Sequence, residues 1–375
     1  MRNRLHIVSF DVPWPADYGG AIDVFYKIKA LHAEGCAIIL HCYEYGRAHA
    51  PELEQYCEAV YYYTRATGLS GISAVLPYIV YSRRNAALLK RLAEIDAPVL
   101  FEGVHTAYFL GHPSLKNRFK AIRVHNVEHH YYAQLSAKEP STLRRLYYMA
   151  EAILLRRLEH KLHAADAFFP LSAEDTCYFQ KLYPCAVNVF IPPFHQHGQV
   201  TSKEGNGQYC LYQGNLAHPE NREAALFLLR EVFPYTQLPA VIAGRNPGQD
   251  IIKACGAIPG CRLIVNPDAA TMDALLADAH IHVLPTFQQS GVKLKLLTAL
   301  FGGRHVVTNK AMRYGTGMPD DICPVANSAA DFITIVNHLV AVPFTQAHIA
   351  QRKALLAPYE NAVNAKLLKK EIVGR

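Results

Sequence analysis

The chain has 375 residues, 51% of them hydrophobic and 18% charged. That length exceeds one ordinary domain, and the balance gives each of two halves enough apolar material for a core, which excludes the disordered and fibrous classes. The net charge is +7, and residues 66–165 carry 14 Lys and Arg against 7 Asp and Glu, so a locally basic surface is expected to meet an anionic partner: a nucleotide, a phosphate-linked acceptor or a membrane face. No nucleic-acid-binding motif accompanies the charge, so nucleic acid is not an expected partner.

Met1-Arg-Asn-Arg-Leu-His does not resemble a signal peptide, and no stretch approaches the roughly 18 uninterrupted apolar residues of a membrane span. The nine cysteines are irregularly spaced with no CxxC pair, which reads as reduced core thiols and not as zinc ligands or disulfides. A cytoplasmic protein is expected, with room for peripheral contact at the inner face of a membrane through the basic region 66–165.

In chain order, Leu5–Phe10 reads as a strand, Pro13 to Gly20 as a loop, Ala21–Glu34 as a helix stopped by Gly35, and Ala37–Cys42 as a second strand. Further strands are expected at Ala59–Tyr63, Val99–Phe101, Ala121–Val124 and Ala167–Pro170. Residues 144–158 form a basic amphipathic helix. Its pairs Arg144-Arg145 and Arg156-Arg157 accompany Leu146, Tyr147, Ala150, Leu154 and Leu158 at helical spacing. A core helix with a wet basic face is its commoner reading, and membrane contact the sharper one.

After a Pro-, Gly- and Ser-bearing stretch the pattern restarts. Strands are expected at Tyr209–Gln213, Ala240–Ala243, Arg262–Val265, Ile281–Leu284 and His305–Thr308. Helices are expected at Asn221–Val232, Ala270–Ala279 and Val292–Phe301. Strands alternating with helices imply parallel sheets. The expected organisation is α/β: a Rossmann-like domain over 1–195, a linker at 196–207, and a second Rossmann-like domain over 208–340. A helical segment, 341–375, is expected to pack back on the first domain. Two facing doubly wound domains would place the active site in the cleft between them, at loops following strands.

Three such loops carry candidate chemistry. Gly19 and Gly20 open the first helix, where glycines let backbone N–H groups approach a phosphate or sugar; a simple loop-to-helix turn is the alternative. His125 follows a strand, well placed to bond a sugar hydroxyl near the reacting carbon. His129 and His130 follow it as surface or packing residues, and no carboxylate with ligand spacing supports a metal site. Lys293 and Lys295 sit at the head of a largely buried helix, in its first turn, opposing the helix dipole; a diphosphate there would compensate them.

Taken together, these segments resemble the retaining GT-B glycosyltransferases of family 4, in particular their bacterial mannosyltransferase-like members. Pro13–Ala21 is similar to the family's Pro-rich loop ending in paired glycines, and Val124-His125-Asn126 to its strand-terminal His motif. Leu158–Leu171 is similar to its "LE…AD…LS" stretch, and Tyr212-Gln213-Gly214-Asn215-Leu216 to the opening of its nucleotide domain. Ser290-Gly291-Val292-Lys293-Leu294-Lys295 is similar to the "GSGTRLKxLEA" form of its donor-binding helix. Two positions depart: Thr298 stands where the family has a Glu for the donor ribose, and Gly214–Asn221 lacks the usual Arg and Lys.

The resemblance implies metal-independent transfer of a hexosyl unit, mannose or similar, from a nucleoside-diphosphate sugar to a glycan or lipid-linked hydroxyl acceptor, with retention. His125, Lys293 and Lys295 would be catalytic; Gly19, Gly20, Gly214, Asn215, Ser290, Gly291, Val292 and Thr298 would bind the donor. The alternatives are a nucleotide-sugar epimerase on the same scaffold, which would need placed acid and base groups, and a catalytically weak sugar-nucleotide-binding module, for which Thr298 argues.

Overall fold

The computed structural model describes residues 3–288 and 291–374, so Ser290 lies outside the described residues. The chain divides into two compact units, one of residues 1–196 with 358–375 and one of residues 197–357.

The first unit is built on β1 (Arg4–Ser9), β2 (Ala37–Glu44), β3 (Ala59–Thr64), β4 (Val99–Glu102), β5 (Lys120–Val124), β6 (Ala167–Pro170) and β7 (Val187–Asn188). They form one parallel sheet in the order β3-β2-β1-β4-β5-β6-β7. Strands β4, β5 and β6 are buried at every position, including Glu102 of β4 and Lys120 and Arg123 of β5, as befits central strands of a parallel sheet covered on both faces. The strand order reverses between β1 and β4, and such a switch point opens a crevice at the strands' carboxyl ends.

The second unit is built on β8 (Cys210–Asn215), β9 (Ala240–Arg245), β10 (Arg262–Val265), β11 (Ile281–Leu284) and β12 (His305–Thr308), all parallel in the order β10-β9-β8-β11-β12. Its switch point lies between β8 and β11. Two glycines fix the packing beside it: a Cβ on Gly244 would come within 1.9 Å of the Gly214 carbonyl oxygen, so neither strand end tolerates bulk there.

Three expected boundaries move. The 196–207 stretch is no free linker, because the Thr201 N–H donates to Phe301 at 2.7 Å and Gly205 pairs with Phe344, tying it to the second unit. The 341–375 segment splits. Helix Gln346–Leu356 stays with the second unit, where buried Arg352 donates to the Gly303 and Arg304 carbonyls at 2.6 Å each. Only the helix Asn361–Val373 joins the first unit, placing Ala365, Leu368 and Ile372 in its core and bonding Lys369 to the Glu34 carbonyl at 2.6 Å. Finally, the helix expected over Asn221–Val232 is regular only at Pro219–Phe227, then widens into a π-turn at Leu228–Val232 before Pro234 ends it. No described helix is long and apolar enough to cross a membrane.

Candidate functional site

In the first unit the switch-point crevice is floored by a buried charge network. Helix Gly19–Ala33 supplies Asp23 and Lys27, β4 supplies Glu102, and β5 supplies Arg123. Lys27 reaches Asp23 at 2.9 Å and Glu102 at 2.8 Å. Arg123 grips Asp23 through Nη2 at 3.0 Å and donates to the Ile191 and Pro192 carbonyls at 2.6 and 2.9 Å. Burial works to raise the Asp23 pKa, but the Arg123 guanidinium and the Lys27 ammonium outweigh it and hold the carboxyl below its usual range.

His125 stands just beyond β5, 11% exposed, with Nε2 3.2 Å from Glu102. A carboxylate partner makes that nitrogen the donor, so in the neutral ring Nδ1 faces outward as an acceptor. The edge of the Phe10 ring packs against His125 at 5.4 Å between centroids, and the same ring lies 5.6 Å from His105. His105 was missed in the sequence, although it follows β4 as His125 follows β5. Its Nδ1 is buried and makes no hydrogen bond among the described residues. Burial first, then the neighbouring Arg83 guanidinium, holds it well below the ordinary histidine pKa, hence neutral.

Gly19 and Gly20 begin their helix after Tyr18, with no side-chain cap and no acidic residue in the first turn. Their N–H groups therefore end the helix uncapped, next to Phe10: a Cβ on Gly20 would meet that ring at 2.6 Å. Other parts of the sequence motifs prove structural. Glu159 accepts from His129 Nδ1 at 2.6 Å, Asp166 from the Lys120 N–H at 2.8 Å, and Ser172 caps the next helix through the Asp175 N–H at 3.0 Å. His129 is thus a packing residue.

Asp23, Glu102 and His125 also bring their ligand atoms within 4.8 Å of one another. Two carboxylates already matched by Lys27 and Arg123 have no charge left over for a cation, and a metal would have to displace the buried Lys27.

In the second unit the candidate residues gather at the ends of β8 and β11. Gly291 takes a left-handed φ of 69°, and the helix begins at Leu294, one residue later than two first-turn lysines require. Lys293 is therefore the N-cap and only Lys295 lies in the first turn. Lys293 Nζ sits 3.3 Å from Glu220. Lys295 donates to Asn221 Oδ1 and lies 3.4 Å from the Tyr212 hydroxyl. Burial pushes the Lys295 ammonium down to about 8, against the opposing pull of Glu220. Both lysines thus turn inward, not onto a solvated basic face.

Glu220 and Asn221 open the helix after β8 and were not singled out from the sequence. Glu220 also accepts from Thr286, which follows β11; burial would raise its pKa, but Lys293 and the Thr286 bond bring it below the ordinary value. Asn221 donates to the Asn215 carbonyl at 2.9 Å, and its side chain would lie 3.1 Å from a Cβ placed on Gly214. Gly214, Asn215, Lys293 and Lys295 are therefore joined in one neighbourhood through Glu220 and Asn221, with Gly291 two residues before Lys293 in the chain. Val292 and Thr298 are half-buried beside the lysines.

No protein-family model matches the chain. A Klebsiella pneumoniae relative, an uncharacterized 44.6 kDa protein in the cps region, is 25% identical over 334 residues, 84% of either chain. Among solved structures, the chain is similar to an α,α-trehalose-phosphate synthase (UDP-forming) from Burkholderia xenovorans in complex with glucose-6-phosphate, with TM-score 0.60, 10% identity and coverage of 99% of this chain and 100% of that one. An Anabaena protein, HepE, in complex with UDP and glucose gives TM-score 0.56 and 13% identity over 99% and 95% of the two chains. An E. coli structure with bound UDP-2-fluoro glucose gives 0.61 and 11% over 99% of each. Identities this low speak to architecture alone. The chain has the GT-B fold, with each of its two units a Rossmann-like α/β domain.

Proposed function

We propose that the protein is a metal-independent, retaining glycosyltransferase that moves a hexosyl unit, mannose or similar, from a nucleoside-diphosphate sugar to a hydroxyl of a glycan or lipid-linked acceptor. The observation that carries this reading is the inward-turned pair Lys293 and Lys295, held by Glu220 and Asn221 at the ends of β8 and β11. The cps-region relative and the UDP and glucose held by HepE support the polysaccharide setting and the donor class.

As the bond from the sugar's anomeric carbon to the diphosphate breaks, negative charge grows on the leaving oxygens. Lys293, Lys295 and the uncapped N–H groups after Gly291 neutralise it without reorganising. The acceptor oxygen bonds to the same face of the anomeric carbon, and its proton passes to the departing diphosphate. Gly19 and Gly20 let backbone approach the diphosphate or the acceptor, and His125 Nδ1 accepts from a donor-sugar hydroxyl. Gly214 and Asn215 line the donor site; Ser290 and Val292 flank Gly291; Thr298 offers the ribose a single hydroxyl in place of a carboxylate.

That last substitution favours a second reading, a weak sugar-nucleotide-binding module. Incubation with each common nucleotide sugar, followed by chromatography, separates the readings. Slow release of nucleoside diphosphate and free sugar supports the transferase, and binding without release supports the module. A changed sugar still attached to its nucleotide would instead indicate an epimerase.

A further inference from the structure

The helix Thr142–Glu159 buries two acids and exposes a run of apolar side chains. Its inward face buries Glu151, Leu155 and Glu159 at four-residue intervals. Both acids are used there: Glu151 accepts the Tyr78 N–H at 2.9 and 3.0 Å, and Glu159 accepts from His129. Leu155 joins the core and Leu158 packs against it, but the apolar residues of the first three turns point the other way. Leu143 is 81% exposed, Leu146 51%, Met149 50% and Ile153 49%. Leu143, Leu146 and Ile153 follow the i, i+3, i+10 spacing of one helical face, and Met149 lies beside them. The expectation of a core helix with a wet basic face holds for Leu154 and Leu158, which are half-buried, and fails for Leu146, Tyr147 and Ala150, which face solvent.

The charge on the exposed residues of this helix has one sign. Arg144, Arg145, Arg156 and Arg157 are all exposed, and none forms an ion pair among the described residues. The helix's only carboxylates are the two it buries. The loop before Tyr78 adds exposed Leu69 and Val75.

We infer that this helix is a docking face for an anionic lipid bilayer. An apolar stripe flanked by Arg145 and Arg156, with Arg157 rising from within it, lies in the plane of a membrane interface, with the apolar side chains among the acyl chains and the guanidiniums reaching the phosphates. A second copy of the chain is disfavoured as occupant, because two-fold pairing of this face would set arginines against arginines with no carboxylate between. The inference stands apart from the donor chemistry.

The test is co-sedimentation of the full chain with vesicles of phosphatidylcholine alone and of equal parts phosphatidylcholine and phosphatidylglycerol. The protein should pellet with the anionic vesicles, and binding should fall ~10-fold or more on neutral vesicles or at high salt. The double variants Leu146→Glu with Ile153→Glu, and Arg156→Gln with Arg157→Gln, should each lower binding by a similar factor with unchanged melting temperature, since all four sites are exposed. Donor hydrolysis by the variants should be unaltered, which separates this outcome from failure of the proposed activity. Absent binding to anionic vesicles, equal binding to neutral ones, or undiminished binding by both variants would overturn the inference. So would light scattering that shows a dimer abolished by the Leu146 and Ile153 changes in a chain that ignores vesicles.

Discussion

Arg123 and Asp23 form a two-pronged ion pair at 3.0 and 3.3 Å, with Arg123 fully buried and Asp23 1% exposed. The pair joins β5 to the first helix, and Asp23 extends the link by accepting the Phe194 N–H at 2.8 Å. Removing one partner of a buried pair leaves the other charge desolvated, so Arg123→Met should destabilise the first unit by about 3–5 kcal/mol. Adding Asp23→Asn to that variant should recover part of the loss. Denaturant titration of these two variants and of Asp23→Asn alone closes the cycle, and additive losses would mean the residues act independently.

The fold was legible because its signal is redundant. Among the described residues, eleven of twelve strands follow from apolar runs closed by turn residues, and the two-residue β7 escaped, being too short for any period. The candidate lysines were legible for a different reason, since positive charge at the head of a buried helix contradicts the dipole and needs an explanation. What holds them was not legible. Glu220 and Asn221 look like ordinary residues of a helix entry, and only folding brings them to Lys293 and Lys295, over seventy positions away in the chain. Arg123 shows the converse: it adds to the basic count of residues 66–165, yet it is spent inside on Asp23 and backbone carbonyls, as Arg83 is spent on Phe10. Composition counts charges without locating them.

Lys295→Met keeps the aliphatic stem while removing the ammonium. If that ammonium stabilises the leaving diphosphate, turnover of donor should fall on the order of 10²–10³-fold, the range for losing one placed charge or donor in a transition state. Thermal stability should move little, because the lost bonds to Asn221 and Tyr212 are offset by relief of burying a charge. Steady-state assay of released nucleoside diphosphate checks the first part and a melting curve the second. Unaltered turnover would remove Lys295 from the mechanism.

On the proposed role, the same lysine would make donor binding sensitive to pH. Its folded pKa is about 8, below the ordinary 10.5, so the charge it offers a diphosphate is present at neutral pH and is lost as pH rises through 8. Affinity for the nucleoside diphosphate, read by calorimetry, should therefore weaken between roughly pH 7.5 and 9, with proton uptake on binding in that window. In Lys295→Met the curve should be flat there, at the lower affinity throughout. Chelator should not change either curve if Lys293 and Lys295 supply the positive charge that a metal would otherwise bring to the diphosphate.

Glu128 offers a test of a buried acid outside the proposed chemistry. It is 2% exposed at the head of the helix Glu128–Lys138, and burial raises its pKa to about 8, with the Asn126 amide at 3.4 Å only partly opposing the rise. The folded chain thus keeps this proton up to about pH 8, whereas the unfolded chain releases it near the ordinary 4.5. Between those values the folded state binds more protons, so this residue makes stability fall as pH rises, by at most about 1.4 kcal/mol per pH unit. Glu128→Gln keeps the shape and removes the titration. Melting temperatures across pH 5–9 should converge for the two proteins at the acid end and separate in favour of the variant toward the alkaline end. Parallel curves would mean that Glu128 is already ionised in the folded chain, with its charge met by a group not among those that face it.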